Sequence, residues 1–156
     1  YHRFPHKALF SRIGAHGAIM ETDPNGTFVG SSFLYMTARD WARFGLLYLQ
    51  DGVWEGERLL PEGWVKAACA PTPAAPKGGY GAQWWTNAGT PGDPSNRPYP
   101  ELPADTCIAK GFEKQRVFII PSRDLVIVRL GLTQSRDAFD IEAWAAEVLE
   151  AFARPG

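Results

Sequence analysis

The sequence predicts an α+β fold: an antiparallel sheet with flanking helices. Three observations carry this. Two apolar runs, QRVFIIP and DLVIVRL, are joined by the tight turn Pro121-Ser122-Arg123-Asp124. A turn that short forces the two strands to run antiparallel. Helical patterns precede and follow this meander instead of alternating with strands, which segregates the helices against the sheet.

The first helix is read from YMTARDWARFGLLYLQDG. Thr37 is a plausible N-cap, and Asp40 stands three residues on in the capping-box position. Trp41, Phe44, Gly45 and Tyr48 follow at i, i+3, i+4 and i+7 and define one apolar face. Asp51-Gly52 closes the helix with a turn signal. LLPEGWVKAAC starts a second, short helix with Pro61 near its first position, where a missing N–H costs little.

Residues 70–104 read as one long loop, because the prolines and glycines of APTPAAPKGG and GTPGDPSNRPYPELP can continue neither a helix nor a central strand. Inside it YGAQWW, residues 80–85, reads as a short aromatic strand. DTCIAKG is a further strand ahead of the two clear ones. Asp137 to Arg154 reads as a closing helix, with Phe139, Ala143, Ala146, Leu149 and Phe152 among its apolar positions. Trp84 and Trp85 fall on opposite faces by strand alternation, at least one of them in the core. Trp41, Trp54, Trp64 and Trp144 are assigned to packing.

Composition narrows the function classes. The chain has 156 residues, with 45% apolar and 21% charged, the profile of a globular domain with a real core. A formal net charge of -1 offers no basic stripe for nucleic acid. No run of about 18 apolar residues is present, so no transmembrane helix is expected. Cys69 and Cys107 are too few for a disulfide framework and show no metal-ligand spacing. They read as two small buried apolar side chains, with a single disulfide left open for an oxidising compartment. No metal and no organic cofactor is implied. The chain opens at Tyr1 in the middle of patterned sequence, which reads as a cut end. Cytoplasmic and periplasmic or secreted locations both stay open, since a signal peptide would lie upstream.

A nucleophile is hard to find. GxSxG is absent. SxxK, which sets a lysine one helical turn beyond the serine to take its proton, is absent at each of Ser11, Ser31, Ser32, Ser95, Ser122 and Ser135. His2, His6 and His16 all lie in the first 16 residues and read as surface or hydrogen-bonded histidines.

Two stretches, VGSSFLYMTARDWARFGLLYLQDGVWEGERLLPEGWV and ADTCIAKGFEKQRVFIIPSRDLVIVRLG, resemble the serine β-lactamase-like superfamily. This group includes class C β-lactamases, penicillin-recognising DD-peptidases, related esterases and the 6-aminohexanoate-dimer hydrolases. The resemblance is nearest to the last branch and runs from about residue 4 to residue 150. It implies that residues 1–156 are the C-terminal part of one β-lactamase/DD-peptidase-like domain, packing on a missing N-terminal part. It also implies a three-motif site. SxxK and a Tyr-x-Asn-type motif would lie upstream, and a Lys-Thr-Gly-like triplet would lie on a strand at the edge of the site.

By this resemblance the third motif is Ala109-Lys110-Gly111, followed by Phe112. The hydrolase branch runs Ala-x-Gly-x-x-Gly-Gln here, and Gly111 and Gln115 match it. The Phe112 backbone N–H is then one donor of the oxyanion hole, with Gly111 letting substrate pass close to the strand. Ser31, Ser32, Phe33 and Tyr35 resemble a wall of the substrate cleft, though plain loop polars and a core aromatic are an equal reading. Lys110, Glu113 and Gln115 complete the substrate-binding set. Ala109 replaces the lysine of the triplet, and alternation turns Lys110 to the other face. This argues against penicillin-type substrates and for a small neutral amide or ester. Lys114 stands where a glycine is usual, with Glu113 before it, and is expected to narrow or charge the rim.

The implied function is a serine hydrolase working through an acyl-enzyme, present here without its nucleophile and base. The alternatives are a catalytically inactive binding module of the same fold and a truncated remnant.

Overall fold

In the computed structural model, residues 1–135 and 138–152 are described. The element order is β1 (Ile19–Met20), β2 (Leu34–Tyr35), α1 (Ala38–Leu49), β3 (Val53–Trp54), β4 (Glu57–Arg58), α2 (Trp64–Cys69), β5 (Trp85–Thr86), β6 (Cys107–Lys110), β7 (Arg116–Ile120), β8 (Leu125–Arg129) and α3 (Ile141–Ala151). A π-helical turn, His6–Phe10, precedes them. The expected α+β architecture is present. The central sheet has the order β5-β6-β7-β8, antiparallel throughout.

Both faces of this sheet are covered, which explains why its strands read as unbroken apolar runs instead of an alternation. Ile108, Phe118, Ile120 and Ile127 point to one face and pack with Ile141, Ala145 and Leu149 of α3 and with Tyr99 and Leu102. Cys107, Val117 and Ile119 point to the other, where Trp41, Phe44 and Tyr48 of α1 lie. A third cluster, Phe10, Ile13, Ala15, Ala18 and Leu47, packs the N-terminal segment on the far side of α1.

α1 begins as expected. Thr37 Oγ1 accepts the Asp40 amide at 3.2 Å and donates to Asp40 Oδ2 at 2.8 Å, while Arg43 donates to Asp40 Oδ1 at 2.5 Å. Gly45 marks the closest approach of α1 to the sheet: a Cβ there would lie 2.6 Å from Val126 Cγ1. The gap in the apolar face is therefore filled by the valine of β8.

Several expectations are corrected. Residues 80–85 do not form a strand. Gly81 N–H donates to Trp84 O at 2.7 Å, and Gln83 sits at φ 65°, so the segment folds back as a turn and only Trp85–Thr86 pairs with β6. α2 begins at Trp64, not near Pro61, because Gly63 at φ 75° interrupts any earlier helix. Trp64 is 51% exposed and is no core residue, whereas Trp84 is buried against Phe44 and Tyr48. The closing helix is Ile141–Ala151, capped by Asp140, and its buried face is Ile141, Ala145 and Leu149. Phe139 packs ahead of it and Phe152 is exposed just after it. The expected ends, Asp137 and Arg154, lie outside the described residues.

Cys69 and Cys107 are not free. They form a disulfide across 38 residues that ties the end of α2 to the start of β6. The bond restrains the loop of residues 70–106 in the unfolded chain as well as the folded one. No helix among the described residues is long and apolar enough to cross a membrane.

Two tests follow from this packing. Replacing both cysteines with alanine should cost roughly 3–4 kcal/mol, read as the shift in urea unfolding between oxidised wild type and the double variant. The Asp40 carboxylate is held below its ordinary value of 3.8, first by the Thr37 hydroxyl and then by Arg43, against the opposing effect of burial. A depressed folded value means the stabilisation is complete above 3.8 and is lost as pH falls through the folded value. Asp40→Asn should therefore cost about 1 kcal/mol near neutral pH, with the gap to wild type closing in acid.

Candidate functional site

The candidate residues lie in two groups. Lys110 ends β6, opposite Arg116 of β7, and residues 111–115 form the turn between them. The turn is tight: Gly111 N–H donates to Gln115 O at 2.8 Å, and Gln115 N–H donates to Phe112 O at 3.1 Å. Glu113 at φ 51° and Lys114 at φ 61° both occupy the left-handed region. Glycine would adopt that conformation at position 114 without strain.

Two facing arginines hold the turn. Arg116 Nη1 donates to Gly111 O at 3.0 Å and to Gln115 O at 2.7 Å. Arg129, the β8 partner of Arg116, donates from Nη1 to Glu113 O at 3.3 Å and Lys114 O at 3.0 Å. Its Nη2 donates to Thr133 Oγ1 at 2.7 Å, and the guanidinium lies 4.2 Å over the Phe139 ring. The Lys114 ammonium donates to Phe139 O. Lys114 is thus turned back onto the segment before α3.

Every carbonyl from Gly111 to Gln115 is therefore taken, while the Phe112 amide has no acceptor among the described residues. Phe112 is 79% exposed. Two polar atoms of the turn region, Glu113 Oε2 and Arg116 Nε, are enclosed and unpartnered among the described residues.

Lys110 lies on the α3 side of the sheet. Its ammonium sits 4.1 Å from the Trp85 ring centroid and 4.9 Å from that of Tyr99. Ala109, one residue earlier, faces α1 with Val117. Tyr99 is placed by a residue the sequence reading missed. Asn87 is fully buried, and its Nδ2 donates to Tyr99 O, Leu102 O and Pro103 O at 2.8, 3.0 and 3.0 Å. Its Oδ1 accepts the Tyr99 amide at 2.8 Å. The only local signal was an asparagine just beyond the aromatic pair, in a stretch dominated by loop residues.

The second group, Ser31, Ser32, Phe33 and Tyr35, lies on the β1–β2 hairpin. All four are exposed, Phe33 by 51% and Tyr35 by 50%. Phe33 stands at φ 60°, and its carbonyl accepts the Glu21 amide at 3.0 Å. Tyr35 pairs across the hairpin with Ile19, itself 61% exposed. Leu34 and Met36, beside this group, pack into a cluster that shares Phe44 of α1 with the sheet side. His2 bonds Gly26 O at 2.7 Å, and His6 packs edge-on against Phe10. A surface depression between α3 and residues Glu101 and Arg123 holds none of the candidate residues.

No protein-family model matches the chain. It is 30% identical over 134 residues to a 6-aminohexanoate-dimer hydrolase of Paenarthrobacter ureafaciens, covering 78% of this chain and 31% of that protein. It therefore spans about a third of the length of the curated relative it matches. A provisionally named 6-aminohexanoate-dimer hydrolase from Bacillus anthracis superposes with a TM-score of 0.66 at 23% identity, over 94% of this chain and 36% of that one. A provisionally named β-lactamase from Bacteroides dorei superposes with a TM-score of 0.60 at 15% identity, over 94% of this chain and 48% of the other.

Asn87→Ala leaves the Tyr99 amide and three carbonyls without their partner and should cost at least about 3 kcal/mol. Thermal unfolding measures the loss, and quenching of Trp85 fluorescence reports whether Tyr99 and Lys110 have moved.

Proposed function

We propose that this chain, a member of the β-lactamase-like superfamily, is the C-terminal part of a serine hydrolase domain cleaving a small neutral amide or ester through an acyl-enzyme. An upstream serine attacks the carbonyl. An upstream lysine and tyrosine move the protons. The negative charge that develops on the carbonyl oxygen is met by the Phe112 amide and by the nucleophile's own amide. One such donor lowers the barrier by about 3 kcal/mol.

The observation that carries this reading is the unsatisfied Phe112 amide at the end of β6, in a turn whose carbonyls are all engaged. An oxyanion hole needs a fixed, unspent N–H more than a particular side chain. Lys110 is engaged with Trp85 and Tyr99 on the far face, which leaves no cationic anchor from the triplet and favours a neutral substrate. The match to an amide hydrolase supports the same class. Exposed Ile19, Phe33 and Tyr35 on the β1–β2 hairpin fit a surface completed by the N-terminal part of the domain. The Cys69–Cys107 disulfide fits folding in an oxidising compartment.

The test begins with the reading frame upstream of the Tyr1 codon, where an SxxK and a Tyr-x-Asn motif are expected. In the full-length protein, assayed on a p-nitrophenyl ester and on the linear dimer of 6-aminohexanoate, Phe112→Pro removes the N–H and should lower kcat about 100-fold. Phe112→Ala keeps the N–H and should stay within about threefold of wild type, because the role belongs to the backbone. Equal losses in both variants, or a frame without SxxK, would rule the reading out in favour of a non-catalytic binding module.

A further inference from the structure

Arg116 and Arg129 face each other across β7 and β8. Like charges directly opposite on neighbouring strands repel and destabilise the pair. The structure shows what the two charges do together. Arg116 takes the carbonyls at the two ends of the 111–115 turn, and Arg129 takes the two carbonyls in its middle. Those middle carbonyls belong to Glu113 and Lys114, the two left-handed residues, which favour that conformation far less than glycine would. Arg129 is itself fixed from behind, by Thr133 Oγ1 and by the face of Phe139.

We infer that Arg116 and Arg129 are positioning residues for the Phe112 amide: together they clamp the strained turn so that this N–H keeps a fixed aim. This rests on the oxyanion reading of Phe112 given above. Neither arginine needs to touch substrate. Each acts through the backbone it holds, and a shift of about 1 Å in a catalytic group costs roughly 100-fold in rate. A guanidinium suits the task because its planar fork donates to two carbonyls at once, which a lysine ammonium cannot match in geometry.

The experiment compares wild type, Arg116→Gln, Arg129→Gln, Arg116→Lys and Arg129→Lys in the full-length protein. Hydrogen exchange is followed in the peptide covering residues 111–116, with the β7–β8 peptides as the internal control for folding. Both glutamine variants should exchange the Gly111 and Gln115 amides roughly tenfold faster, the effect of losing about one hydrogen bond's worth of protection. On the p-nitrophenyl ester, kcat should fall by roughly 10-fold to 100-fold with KM within about twofold, and the lysine variants should recover part of it. If a glutamine variant does not fold, the matching lysine variant decides, with smaller changes in the same direction. Unchanged exchange in both positions overturns the clamp whatever the activity. Faster exchange with kcat unmoved overturns its link to catalysis. A wild-type protein without hydrolase activity, whose arginine variants still exchange faster, refutes the oxyanion reading and upholds the clamp.

Discussion

The structure depends on the β6–β7–β8 ladder being buried on both sides. Because α1 covers one face and α3 the other, each residue of Arg116–Ile120 has a neighbour to satisfy, and Val117, Phe118, Ile119 and Ile120 are all buried. Apolar burial on this scale is the main favourable term available to a domain of this size. It also fixes register. A slip of one residue would exchange the Ile108, Phe118 and Ile127 face with the Cys107, Val117 and Ile119 face, and Gly45 of α1 would no longer meet Val126.

The polar parts are organised around that ladder by long-range bonds to backbone. Asn87 gathers the loop of residues 99–103 onto the α3 side. Arg116 and Arg129 gather the 111–115 turn at the end of the sheet. In both cases a side chain supplies the partners that an irregular segment cannot find within itself. The disulfide acts at the other end of β6, so the strand is held at its start by a covalent bond and at its finish by guanidinium hydrogen bonds.

Much of the fold was legible in the sequence. The Thr37 cap, the Trp41-Phe44-Gly45-Tyr48 stripe and the Pro121–Asp124 turn each rest on a local rule, and each appears in the structure. The misreadings share a cause. YGAQWW has strand composition, but Gly81 lies hard against the Ala68 and Ala70 carbonyls and Gln83 turns left-handed, so contacts from a distant helix decide its shape. The buried face of α3 was not legible because Phe139 and Phe152 are as apolar as the residues that are buried, and only the position of the sheet selects Ile141, Ala145 and Leu149.

The candidate site divides in the same way. Gly111, Phe112 and Gln115 could be picked out by their resemblance to a known pattern. The destinations of Lys110 and Lys114 could not, since a long cationic side chain reaches whichever aromatic face or carbonyl the fold brings near. What the sequence by itself determined was α1, the β6, β7 and β8 strands, the closing helix and their order, because caps, turns and apolar periodicity act over a few residues. Tertiary structure alone decided that Cys69 meets Cys107, that Asn87 reaches Tyr99, and that two arginines converge on one turn. Those pairings span from 12 to 38 residues for the cysteine and asparagine contacts, and no local rule operates over such distances.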